Sequence, residues 1–129
     1  MIKAYLVGIS NYIEGEDIEV RYHIYNDQEL ICKKSVFLAY KKPAIVNLAA
    51  VIIILKELEK NIGDEIFINV NDSALNEQIR GTTKTKNIDV LKMANTAREE
   101  LNKFGNSLTI VDISPNWVEL AKWNEELKL

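Results

Sequence analysis

The N-terminal third of the chain carries the apolar pattern of β-strands. Residues 2–11 form a mostly apolar run, and residues 18–24 alternate apolar with polar side chains. This period of two is typical of a strand that is buried on one face. Residues 30–40 form a third strand-like run, and turn signals at Gly15 and Asn26-Asp27 keep the connections short. Short connections favour antiparallel pairing, so we predict a three-stranded meander.

The apolar spacing then changes to three and four residues, which predicts helices. Residues 44–60 are apolar on more than one side, so this helix should be covered on more than one side, and Pro43 suits its first turn. A short apolar strand follows at 65–70. The next predicted helix ends at Gly81, and an amphipathic helix spans 88–104.

The end of the chain predicts one more strand and one more helix. The strand covers residues 108–113, and Pro115 opens a C-terminal helix. The predicted order is βββαβααβα. Strands joined through helices pair in parallel, so we expect an α/β fold with a mixed five-stranded sheet and helices on both faces.

Composition limits the classes of protein to consider. The chain has 129 residues and a net charge of −3, which suits a single domain over 1–129 and argues weakly against non-specific binding of phosphate backbones. The lone Cys32 excludes an internal disulfide. The chain begins directly with strand-like residues, and its most apolar window, 44–55, is too short to span a bilayer. We therefore expect a soluble cytoplasmic protein without a signal peptide or a membrane partner.

Four short motifs, in this order, resemble motifs of the ribonuclease H family. They are Asn47-Leu48-Ala49-Ala50-Val51, Asp72-Ser73 followed by Gly81, Lys86-Asn87-Ile88-Asp89-Val90, and Glu119-Leu120-Ala121. Together they cover most of the chain in the order that this family uses. The resemblance implies a ribonuclease H-like fold. It also implies cleavage of the RNA strand of RNA–DNA hybrids with two divalent cations, Mg²⁺ or Mn²⁺, held by four carboxylates.

Asp72 matches one of those four carboxylates, but its three partner positions do not carry acids. Val7 or Gly8 stands where the family has an Asp in the first strand. Asn47 stands at the Glu of the first helix, and Val118 at the Asp of the last helix. The resemblance therefore implies a divergent member in which most catalytic carboxylates are missing.

Each candidate site residue has a chemical and a structural interpretation. Asp72 is either a remaining metal ligand or the N-cap of the following helix. Asn47 is either a remnant of the site or a buried amide that needs hydrogen-bond partners. Glu119 lies one residue, or a rotation of about 100°, from Val118. It reaches the site if the helix shifts by a residue, and otherwise it serves the helix dipole and solubility.

Candidate contacts with nucleic acid lie elsewhere in the chain. Lys84 and Lys86 stand where family members approach the phosphates of the hybrid, although two lysines in a polar connection also suit plain solvation. Trp117 and Trp123 are either stacking platforms for bases or core and oligomer contacts. His23, the sole histidine, alternates with Glu19 and Arg21 and is expected on an exposed strand face.

Three hypotheses about function follow. The first is a catalytically degenerate ribonuclease H-like domain, without a cofactor, that binds nucleic acid or a protein. The alternative is a divergent Mg²⁺- or Mn²⁺-dependent nuclease acting on RNA–DNA hybrids. It would use Asp72 with Glu119, and further acids drawn from Asp112, Glu14, Glu16 and Asp17. The third is a homodimer that pairs through the strand face of Glu19, Arg21 and His23.

Overall fold

A computed structural model describes residues 1–11 and 13–129. Five strands form one sheet: β1 (Ile2–Ile9), β2 (Ile18–Asn26), β3 (Glu29–Leu38), β4 (Ile66–Val70) and β5 (Leu108–Asp112). Four α-helices accompany them: α1 (Pro43–Glu57), α2 (Leu75–Arg80), α3 (Ile88–Asn102) and α4 (Trp117–Leu127). A 3₁₀ turn, Leu58–Asn61, extends α1. The predicted element order is confirmed.

The sheet has the strand order β3-β2-β1-β4-β5. β1 pairs antiparallel with β2, and β2 pairs antiparallel with β3. β1 pairs in parallel with β4, which pairs in parallel with β5. The predicted mixed sheet of an antiparallel meander followed by parallel strands is therefore confirmed.

Helices cover both faces of the sheet. The first face carries the main core, in which α1 packs against the alternate apolar side chains of β1 and β2; Leu48 and Ile54 of α1 are fully buried there. The second face carries a small apolar cluster of Ile113, Trp123 and Leu127 from the C-terminal part of the chain. α1 is buried on several sides, as predicted, because α3 packs on it from outside. Among the described residues, no helix is both long enough and apolar enough to cross a membrane.

Local signals explain where several helices begin and end. Pro43 lies in the first turn of α1, where the missing N–H costs no hydrogen bond. Gly81 ends α2 with φ of 77°, a left-handed conformation that glycine adopts without steric cost. The Asn87 side chain caps α3 by accepting hydrogen bonds from the N–H groups of Asp89 and Val90.

Candidate functional site

Three elements converge at one edge of the sheet and bring Gly8, Asn47 and Asp72 together. β1 and β4 are adjacent parallel strands, so their carboxyl ends open at the same edge. Gly8 lies near the end of β1, and Asp72 follows β4 after one residue. α1 crosses above this edge and supplies Asn47. Crevices at the carboxyl ends of parallel strands are frequent ligand sites in α/β proteins.

A continuous hydrogen-bond chain connects these residues. The Gly8 N–H donates to Asn47 Oδ1 over 3.3 Å, and Asn47 Nδ2 donates to Asp72 Oδ2 over 2.9 Å. The Ala74 N–H donates to the other carboxylate oxygen, Asp72 Oδ1, over 2.9 Å. The Asn47 amide thus bridges a backbone donor and a carboxylate, and both oxygens of Asp72 accept a hydrogen bond from the protein.

The closeness of α1 to β1 determines which residue can stand at position 8. A Cβ atom on Gly8 would lie 2.7 Å from Val46 Cγ1, 2.9 Å from Asn47 Oδ1 and 3.0 Å from the Val46 carbonyl oxygen. Val7 instead packs with the apolar cluster on the opposite face of the sheet. Position 8 therefore faces Asn47, and a side chain fits there only if α1 moves away.

Asp72 is not the N-cap of α2, so that prediction was wrong. The capping position is Ala74, which has no side-chain cap, and Asp72 lies two residues before it. The Asp72 carboxylate accepts from the Ala74 N–H and so shapes the turn that leads into the helix. The turn between β4 and α2 takes up residues 71–74, and this length could not be derived from the Asp-Ser motif.

The other candidate acids are distributed around the molecule. Glu119 Oε1 lies 3.6 Å from Lys122 Nζ, and Glu119 lines a shallow hollow with Lys3 and Phe67. Asp112 ends β5 opposite Val70 and accepts a hydrogen bond from the Ser114 N–H over 2.9 Å.

Three more of the candidate acids, Glu14, Glu16 and Asp17, are exposed in the connection between β1 and β2. Within residues 1–11 and 13–129, no group of three His, Cys, Asp or Glu side chains could hold a metal ion.

The two candidate phosphate contacts lie in the connection between α2 and α3. Lys84 and Lys86 are both exposed, and neither forms an ion pair with any residue that the structure describes. Their side chains are therefore accessible to a partner.

His23 is buried, which contradicts its predicted exposure. Only 5% of its surface is accessible, because α4 covers this face of β2. His23 Nδ1 lies 2.9 Å from Glu126 Oε1, and the Tyr25 hydroxyl donates to the same oxygen. Arg21, predicted on the same exposed face, donates to the Leu127 carbonyl oxygen over 2.6 Å. These contacts within the chain also occupy the face that the dimer hypothesis required.

The charge of Glu126 shapes the chemistry of this second cluster. Burial raises the pKa of Glu126, but hydrogen bonds from Tyr25 and His23 outweigh that effect and lower the pKa below its ordinary value. The same hydrogen bond, with some burial, raises the pKa of Tyr25 to about 12. The cluster therefore holds a carboxylate and a neutral phenol at neutral pH.

The two tryptophans of α4 have different environments. Trp123 is buried and its Nε1 donates to the Leu6 carbonyl oxygen over 3.0 Å, which confirms that one of the pair is a core residue. Trp117 is 79% exposed. Their separation by six positions places them on different sides of the helix.

The strand order, the pairing directions and the helices on both faces define a ribonuclease H-like fold. Comparison with solved structures shows the same fold. The chain resembles a ribonuclease H1 from the archaeon Halobacterium salinarum, with a TM-score of 0.71, 20% identity, and coverage of 90% of this chain and 89% of that chain. It also resembles LC11-RNase H1, isolated from compost by a metagenomic approach, with a TM-score of 0.75, 15% identity, and coverage of 98% and 95%.

A second structure of LC11-RNase H1, in complex with an RNA/DNA hybrid, matches with a TM-score of 0.68, 17% identity, and coverage of 90% and 88%. No protein-family model matches the chain, and no curated protein sequence matches it. At these identities the structural likeness establishes the fold.

Proposed function

We propose that this chain is a catalytically degenerate ribonuclease H-like domain that acts by binding nucleic acid or a protein. The observation that carries this proposal is the position of Asn47. Its neutral amide donates a hydrogen bond to Asp72 at the place where the resemblance calls for a second carboxylate. The resemblance calls for another acid at Val7 or Gly8, and of these two Gly8 donates a backbone hydrogen bond to Asn47 Oδ1.

Electrostatics supports this interpretation. Two carboxylates in contact repel each other unless a cation lies between them or one takes up a proton. With Asn47 in place, the Asp72 carboxylate is satisfied by two N–H donors and needs no cation. Two-metal hydrolysis requires several carboxylates to offset the charge of two dications. A lone Asp72 with a neutral neighbour supplies too little negative charge for that chemistry.

Nucleic acid is the first partner to test. Lys84 and Lys86 are exposed and free of ion pairs within the described part of the chain, and lysines of this kind suit contacts with phosphates. One of the proteins that share the fold was solved with an RNA/DNA hybrid. A protein partner is the second possibility, and the edge strand β3 favours it, because Phe37 is 65% exposed there beside unpaired backbone groups.

The alternative function is a divergent Mg²⁺- or Mn²⁺-dependent nuclease. One observation favours it: Asp112 ends β5 and Asp72 follows β4, and because these strands are adjacent and parallel both acids lie at the same edge of the sheet. Asp112 Oδ1, however, accepts a hydrogen bond from Ser114, and Glu119 contacts Lys122. The alternative needs these acids to converge on Asp72 when metal and substrate bind.

A cleavage assay separates the two functions. Purified protein is incubated with an end-labelled RNA–DNA hybrid and Mn²⁺ beside the variant Asp72→Asn, and the products are resolved on a denaturing gel. We expect an intact hybrid with both proteins. Metal-dependent cleavage that Asp72→Asn abolishes would overturn the proposal of a catalytically degenerate domain and would establish a functional metal site. Circular dichroism of the variant checks that it is folded.

Binding is measured separately by fluorescence anisotropy with the same hybrid. The variant Lys84→Gln/Lys86→Gln should weaken binding. It should also reduce the salt dependence of binding, because each phosphate contact steepens the fall of the binding constant with salt concentration. Lys56→Gln/Lys92→Gln is the matched control, because it removes the same charge from exposed positions of α1 and α3. Equal losses in both variants would mean that binding reflects net charge rather than this connection.

A further inference from the structure

A cleft between α4 and strands β2 and β3 lies on the sheet face opposite to Asn47. This α4 cleft has a volume of about 700 Å³. It is lined by Tyr5, His23, Tyr25, Leu30, Lys33, Lys122, Glu125, Glu126 and Lys128. The apolar pattern predicted that this strand face is exposed, whereas in the structure it forms one side of the cleft.

The α4 cleft is rich in cationic groups. Lysines line it together with two glutamates, although the whole chain is acidic. Lys33 and Lys128 form no ion pair with any residue in the described part of the chain, and both also line an adjoining hollow that contains Arg21. Glu126 accepts hydrogen bonds from His23 and Tyr25, and its charge also interacts with Lys33 beyond ion-pair distance. The ammonium groups of Lys33 and Lys128 thus line the same space without a direct ion pair among the described residues.

One wall of the α4 cleft is aromatic. The rings of Tyr5 and Tyr25 meet edge to face, with centroids 6.1 Å apart and an interplanar angle of 84°. The Tyr25 hydroxyl and His23 Nδ1 both contact Glu126, which holds these two side chains in place. Leu30, 45% exposed, adds apolar surface on the β3 side. An aromatic wall beside exposed ammonium groups suits a nucleotide, since a base can stack on a ring and a phosphate can pair with lysine.

We propose that the α4 cleft binds a nucleotide, with its phosphate on Lys33 and Lys128 and its base against the wall of Tyr5 and Tyr25. The nucleotide is either free or one unit of a single strand, and both carry the same chemistry. This site is independent of the proposed function, because it lies on the other face of the sheet and uses neither Asp72 nor Lys84 and Lys86.

The test is an NMR titration of ¹⁵N-labelled protein with AMP, adenosine, inorganic phosphate and a short single-stranded oligodeoxyadenylate. AMP should shift the amides of β2, β3 and the end of α4, and it should bind more tightly than adenosine or phosphate. Tighter binding of the oligonucleotide than of AMP would identify a single strand as the ligand of the cleft. Tighter binding of AMP would identify a free nucleotide. No shifts with AMP or the oligonucleotide at millimolar concentration would overturn the proposal.

Variants assign the binding to this cleft. Lys33→Gln/Lys128→Gln should raise the dissociation constant for AMP by about tenfold or more, since charge-assisted hydrogen bonds to the phosphate are lost. Both positions are exposed, so the variant is expected to fold. The control Lys56→Gln/Lys92→Gln should leave the dissociation constant unchanged. An unchanged constant in the first variant, or an equal rise in both, would place the nucleotide elsewhere and overturn the proposal.

Discussion

The two faces of the sheet are built in different ways. Against the first face, α1 is held by a large apolar core in which Leu48, Ile54 and Leu55 are fully buried. Against the second face, α4 is held by a small apolar cluster together with polar contacts from Arg21, His23 and the Trp123 indole. The first face depends on a large buried apolar area, whereas the second combines a small apolar area with specific hydrogen bonds. Because apolar periodicity records buried apolar area but not hydrogen bonds between distant elements, it predicted the first layer correctly and predicted the second face as exposed.

The largest expected effect is a cavity in the first face. Leu48→Ala should lower the free energy of unfolding by about 3–5 kcal/mol, since the surrounding core cannot collapse around the lost atoms. The matched variant Leu127→Ala removes the same atoms from a fully buried position in the last turn of α4. It should cost less, about 2–3 kcal/mol, because the end of a helix relaxes more easily. Urea denaturation measures both, and equal losses would contradict the contrast between the faces.

The next largest loss of stability is expected where α1 approaches β1 closely. Gly8→Ala should destabilise the protein by about 1–3 kcal/mol, since its Cβ would overlap Val46 and Asn47. Val46→Ala removes one of the overlapping atoms, Val46 Cγ1. In a double-mutant cycle the two changes together should therefore cost less than their sum. Strict additivity would show that position 8 has more room than the structure indicates.

A charged cluster at the end of α1 gives a smaller, pH-dependent effect. Lys34 and Lys60 donate hydrogen bonds to Glu57 and lower its pKa to about 2. The folded-state pKa lies below the ordinary value of 4.5, so this contribution is present above about pH 4.5 and is lost as the pH falls towards 2. It should amount to about 1–2 kcal/mol, because both lysines are largely exposed and solvent screens the pairs.

The variant Glu57→Gln should remove this contribution. Its free energy of unfolding at neutral pH should fall by that amount and then depend less on pH between 4.5 and 2 than in the parent protein. Thermal unfolding across that range measures the change. An unaltered slope would show that the Glu57 cluster contributes nothing to the acid sensitivity of the fold.

The smallest loss of stability is expected from a polar contact on the second face. Glu126→Gln keeps a hydrogen-bond acceptor for Tyr25 and His23 but removes the charge, so the loss should be about 1 kcal/mol or less at neutral pH. The lowered pKa of Glu126 gives the same sign as for Glu57: its contribution is lost as the pH falls. A larger loss for Glu126→Gln than for Glu57→Gln in paired thermal unfolding would contradict this ranking of the two carboxylates.

The candidate site was partly accessible from the sequence. The motifs placed Asn47 and Asp72 at one site, and the structure brings them into contact. The alternatives Val7 and Gly8 could not be separated from sequence, because the choice depends on which side of β1 faces α1. The use of Asp72 in a turn rather than as a helix cap could not be derived either, since it depends on where α2 begins.

The order of the elements and the main core could be predicted from the sequence alone. The alternation in β2 and the three- and four-residue spacing of α1 reflect burial of apolar area, which local periodicity records directly. The burial of His23, the contact of Arg21 with α4 and the different environments of the two tryptophans depend on how distant elements pack. Polar residues that alternate with buried apolar residues are predicted to be exposed to solvent. This prediction fails where another helix packs on the same strand face. Here α4, about a hundred residues further along the chain, covers His23 and Arg21. No local pattern near His23 can predict that contact.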